Sequence, residues 1–82
     1  MTDEQKLKRI MGTALKVDPS SIGTESSNDN IESWDSLKHM NLVLALEEEF
    51  SVSIPDEEAA NITSYALIKL VLDELLEAQR VQ

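Results

Sequence analysis

From Ser36 to Phe50 the apolar residues recur at helical spacing, but on two faces rather than one. At about 100° per residue, His39, Leu42, Val43, Leu46 and Phe50 share one face. Leu37, Met40 and Leu44 share a second, nearly opposite, in line with Ser36 and Glu47. A surface helix needs only one buried face. The chain has 82 residues, enough for a single domain, 1–82, and hardly enough to surround a helix on all sides. The pattern therefore predicts a helix with its first face in the core and its second offered to a partner. Glu47 and Glu48 fall beside Leu44 and would rim that docking face. The plain alternative for Glu47-Glu48-Glu49 is a solvated helix surface. His39 lies toward the core side, and a packed histidine accounts for it: there is no second His, no Cys and no catalytic triad set.

Trp34-Asp35-Ser36-Leu37 marks where an irregular polar stretch ends and this helix starts. The first N–H groups of a helix lack internal partners, and the helix dipole adds partial positive charge there. A phosphate on Ser36 would sit in a favourable field. The plain alternative is that Asp35 or Ser36 simply caps the helix.

The remaining segments complete a helical plan. Thr2 followed by Gln5 reads as a capping box, opening a helix from about Asp3 to about Lys16 with Leu7, Ile10, Met11, Ala14 and Leu15 inward. Gly12 is a weak point in it. Asp18-Pro19 stops the helix, because the residue before proline avoids helical geometry. Asp18 to Trp34 has no sustained period and reads as a long loop pinned by Ile22, Ile31 and Trp34, with room for one helical turn. It is not a calcium loop: Ile22 would occupy a ligand position and no Glu closes it. Ser51 to Pro55 is a short extended connection, and Asp56 to Asn61 a short helix. Thr63 or Ser64 then caps a last helix from about Tyr65 to Ala78. Its inward face is Tyr65, Ile68, Val71, Leu72, Leu75 and Leu76, widened by Leu67 and Leu70, with Lys69, Asp73 and Glu77 on the wet side. The expected fold is all-α: a small four-helix bundle of three main helices and one short one, with a long loop after the first.

Charge narrows the partners. Against 16 Asp+Glu there are 7 Lys+Arg, a formal net charge of −9. From Val17 to Ile68 the only Lys or Arg is Lys38, against eleven acids. Such a surface repels nucleic acid and anionic lipid and attracts basic proteins, the plain alternative being that the charge merely aids solubility. No apolar run is long enough to span a membrane and no signal-peptide core is present, so a cytoplasmic protein without stable membrane insertion is expected; a monomer is the expected state. With no Cys, any thiol chemistry would need an attached group, and no metal site is expected.

Trp34-Asp35-Ser36-Leu37, Leu42-Val43-Leu44-Ala45-Leu46-Glu47-Glu48-Glu49-Phe50, Ile54-Pro55-Asp56-Glu57-Glu58-Ala59 and Ile62-Thr63 stand at one family's spacing. Over nearly its whole length the chain resembles the acyl carrier proteins. The resemblance implies that Ser36 receives 4'-phosphopantetheine from coenzyme A as a phosphodiester. Asp35 would help the phosphopantetheinyl transferase engage the site. The arm's thiol would carry an acyl group as a thioester to partner enzymes of fatty-acid, lipid or specialised-metabolite biosynthesis, and the protein itself would catalyse nothing. Leu37, Lys38, Met40, Asn41, Leu44, Glu47 and Glu48 would dock acyl-loading and acyl-transferring enzymes with basic patches. Leu42, Leu46, Phe50, Ile54, Ala59, Ile62 and Ile68 would line an acyl-chain cavity, though each is equally well explained as core. Two departures stand out: Ser33-Trp34 replaces the family's Gly-x before Asp-Ser-Leu, and Lys38 and Asn41 stand where fatty-acid-synthesis members tend to carry acids. Lys38 either pairs locally with Asp35 or marks a dedicated pathway. The runners-up are an aminoacyl or peptidyl carrier and, of another class, an acidic helical adaptor without a prosthetic group.

Overall fold

Asp3, not Thr2, starts the first helix. The Asp3 carboxylate accepts the N–H groups of Gln5 and Lys6, while Thr2 is buried and its hydroxyl donates to Asp73 Oδ1 at 2.6 Å. The expected capping box is thus replaced by an aspartate cap, and Thr2 instead ties the N-terminus to the last helix. The computed structural model describes residues 2–80. Its order is α1 (Glu4–Leu15), a 3-10 turn (Pro19–Ser21), α2 (Ser36–Phe50), α3 (Asp56–Asn61) and α4 (Tyr65–Arg80). Among the described residues there is no strand, only an isolated bridge between Ser27 and Ser64. No described helix is long and apolar enough to cross a membrane.

Helix α1 stops before the proline. Lys16 adopts the left-handed conformation, φ 61°, and the Val17 N–H returns to the Gly12 carbonyl at 3.0 Å. The chain then doubles back over Gly12. A Cβ there would lie 2.8 Å from Pro19 Cγ and 2.9 Å from the Val17 carbonyl oxygen. Gly12 is therefore required for close approach, a role its low helix propensity concealed. Asp18 caps the 3-10 turn by accepting from Ser20, whose backbone N–H holds the Asp18 carboxyl below its usual range.

The long loop is tied down by its polar residues as much as by Ile22, Ile31 and Trp34. Ser33 Oγ donates to the Leu15 carbonyl at 2.6 Å. Asn28 N–H donates to the Thr63 carbonyl and Tyr65 N–H to the Ser26 carbonyl, which fastens the loop to the start of α4. Ile22 and Trp34 are buried, and Ile31 packs against the core edge.

Among the described residues the core is one cluster drawn from α1, α2, α4 and the connecting segments, with Ala59 of α3 packed against it. Leu7, Met11 and Leu15 of α1, Leu42 and Leu46 of α2, and Tyr65, Ile68 and Leu72 of α4 are essentially inaccessible. Val52 and Ile54 bring in the connection before α3, and Ile62 the residue after it. Ser64 caps α4, its hydroxyl accepting from Leu67 N–H. Leu67 and Leu70 do not widen the inward stripe as expected. They are 42% and 53% exposed, because the core is already closed by residues on the opposite side of α4. Nor is Asp73 simply on the wet side: Thr2 holds it, and that hydroxyl lowers its pKa from the usual carboxylate value.

Candidate functional site at the start of helix α2

The site is assembled by the turn that launches α2. Asp35 is the N-cap: its Oδ1 accepts the Lys38 N–H at 2.8 Å, and its Oδ2 lies 3.6 Å from Lys38 Nζ. The Lys38 backbone bond, with its ammonium beside it, holds the Asp35 carboxyl below the usual range. Lys38 thus has a local partner. Ser36 follows as the first helical residue and is exposed.

Behind this turn lies a side-chain relay that periodicity does not reveal. Trp34 is buried and its ring stacks on His39, centroids 6.1 Å apart and planes 24° apart. Trp34 Nε1–H donates to His39 Nδ1 at 3.0 Å, and His39 Nε2 lies 2.7 Å from the carbonyl oxygen of Ala59 in α3. The indole can only donate and the carbonyl can only accept, so a neutral ring with its proton on Nε2 satisfies both. The signal available in the sequence was Trp34 itself, since a buried indole N–H needs an acceptor.

Ser36 borders two clefts. One, of about 310 Å³, runs between α2 and α3 past Met40, Val43, Leu44, Ile54, Ala59 and Ala60. The other, of about 410 Å³, has Asn28, Trp34, Asp35 and Thr63 around it, and shares His39 and Ala60 with the first.

Leu37, Met40 and Leu44 are 69%, 62% and 58% exposed, while Leu42 and Leu46 on the same helix are buried. Asn41 and Glu48 are exposed beside them. Glu47 is only partly exposed, because its Oε2 accepts the Ile54 N–H at 2.7 Å. Of the seven residues considered for a cavity, Ile54 and Ala59 line the α2–α3 cleft. Leu42, Leu46, Ile62 and Ile68 are packed in the core, and Phe50 lies at its edge under Lys6, whose Nζ is 4.8 Å from the ring centroid.

A family model described as "phosphopantetheine attachment site" matches residues 5–71. The chain belongs to that family. The fold of this phosphopantetheine-attachment protein is also that of a solved holo acyl carrier protein from Geobacter metallireducens, determined by solution NMR. The two share 24% identity over all of this chain and 94% of that one, with a TM-score of 0.86. As a member of the family, the chain carries 4'-phosphopantetheine covalently. The residues at the start of α2 fit such a group. A phosphodiester is an anion, the positive end of a helix favours it, and the Lys38 ammonium offsets the Asp35 carboxylate.

Proposed function

We propose that this protein is an acyl carrier: it bears 4'-phosphopantetheine on Ser36 and presents an acyl thioester to partner enzymes of fatty-acid, lipid or specialised-metabolite biosynthesis. One observation carries this reading. Ser36 is an exposed hydroxyl at the first position of a capped helix, and it opens directly onto an apolar cleft. When bound, the group supplies a thiol on a flexible arm, which raises the local concentration of its cargo at each active site it reaches. The chain's own residues do the rest. Asp35 fixes the turn that presents Ser36, and its exposed carboxylate is within reach of the transferase. Leu37, Met40 and Leu44 offer an apolar docking strip, flanked by Asn41 and by Glu48. The cleft offers the cargo shelter from water between α2 and α3.

Intact mass after coexpression with a phosphopantetheinyl transferase tests the assignment. Wild type should gain the mass of the arm and Ser36→Ala should not. The variant should remain folded, because loss of an exposed helix-start hydroxyl costs at most about 0.5–2 kcal/mol. A modified Ser36→Ala protein would refute the site. Loading assays with acyl and aminoacyl donors then define the cargo class, and preference for an aminoacyl donor would refute the acyl reading.

A further inference from the structure

Helix α3 is held by few ties of its own: it has six residues, no side-chain bond at its N-cap, and no buried member. The buried Ile54 and Ile62 anchor the chain on either side of it. Two side chains of α2 supply polar ties. Glu47 accepts the Ile54 N–H just before α3, and His39 reaches the Ala59 carbonyl in its middle, each at 2.7 Å. The His39 tie is also the partition between the two clefts, which share Ser36, His39 and Ala60.

We propose that His39, positioned by Trp34, sets the width of the apolar α2–α3 cleft and thereby selects the length of the acyl chain sheltered there. This rests on the carrier function proposed above. The preferred cargo is an unbranched acyl thioester of short to medium length. The cleft is small, about 310 Å³, and α3 is one of its walls, so a lengthening chain comes to press on α3. Displacing α3 breaks the His39–Ala59 bond and strips a carbonyl and a ring nitrogen of their partners, a cost that shorter chains do not meet. Trp34 acts through His39. Its N–H on Nδ1 leaves the imidazole proton on Nε2, aimed at Ala59, and its stacked ring keeps the imidazole from turning away.

The test charges the apo protein, by means of a phosphopantetheinyl transferase, with coenzyme A analogues whose arms end in amide-linked acyl chains from butyryl to palmitoyl. The readouts are the rise in Tm over the unacylated holo protein and the NMR shifts of the Ala59 and Ala60 amides. In wild type the rise should grow with chain length and level off at a definite length. In His39→Ala the levelling point should move to longer chains, and His39→Gln, which keeps an N–H donor, should move it back. Trp34→Phe keeps the aromatic packing but loses the donor, and should shift it in the same direction as His39→Ala by less. An unchanged levelling point in His39→Ala overturns the proposal. Should that variant not fold, an unchanged point in Trp34→Phe overturns it. Failure of wild type to take up the arm would overturn the carrier function and this inference together, whereas normal uptake with identical length profiles overturns the inference alone.

Discussion

Leu44 and Leu46 lie two residues apart on α2 and should respond to the same substitution in opposite ways. Leu46 is inaccessible and sits in the cluster joining α1, α2 and α4, whereas Leu44 is 58% exposed. Truncating a buried leucine to alanine removes its transfer free energy and leaves a cavity, about 2–5 kcal/mol together. A domain of 82 residues has a total stability of about 4–12 kcal/mol at about 0.05–0.15 kcal/mol per residue. Leu46→Ala should therefore consume about half of it. At about 4–8 °C per kcal/mol for a domain of this size, Tm should fall by at least about 8 °C. Leu44→Ala removes a side chain already mostly in water, so its cost should stay within about 0.5 kcal/mol, as for ordinary surface sites. The assay is urea unfolding of both variants by circular dichroism, paired with transfer rates from a phosphopantetheinyl transferase. Leu44→Ala should keep its midpoint and lose transfer rate. Equal, large losses of stability at the two positions would show that the second face of α2 is buried, and the docking strip would have to be abandoned.

Three further perturbations follow from particular contacts. Gly12→Ala should destabilise, because overpacking against Pro19 and the Val17 carbonyl, about 1–3 kcal/mol, outweighs a helix-propensity gain of about 1 kcal/mol; a raised Tm would mean that the chain can move away from Gly12. Tyr65 is buried with its hydroxyl donating to Glu4 Oε1 at 2.7 Å, and burial first, then the Glu4 bond, raises its pKa above the phenol value. Because the folded value is the higher one, this stabilisation is complete below about pH 10 and is lost as pH climbs from there toward the folded value. Urea midpoints measured across that range should fall less steeply in Tyr65→Phe, and parallel curves would refute the linkage. Lys38→Glu should leave stability nearly unchanged, break the pair with Asp35, and raise transfer to carrier-dependent enzymes with basic patches. That gain should shrink with salt, since exposed charges are screened over about 10 Å at 0.1 M; an unaltered ranking of partners at low salt would reduce Lys38 to a local counter-charge.

Local signals were enough for the helices. Apolar spacing is a local property, so α2 from Ser36 to Phe50 and its two faces could be read from the chain, and acids suited to a helix start marked the short helix from Asp56 to Asn61. The same holds for the junction at Asp35-Ser36, where a short polar residue meets the first turn. Contacts between distant residues could not be read that way. Thr2 looked like a cap because Gln5 follows it, yet Asp3 is better placed and Thr2 finds Asp73 across the bundle. Gly12 looked like a weak helix residue until Pro19 folded over it. Leu67 and Leu70 extended the apolar stripe of α4 on paper, but only packing decides how wide a stripe the core can cover. The relay from Trp34 through His39 to Ala59 depends on α3 coming to lie beside α2, which no local pattern encodes. What the sequence by itself determined was which segments become helices and that Ser36 stands where α2 begins. Tertiary structure decided which polar groups meet, because a hydrogen bond depends on distances of a few tenths of an ångström that only the assembled fold sets.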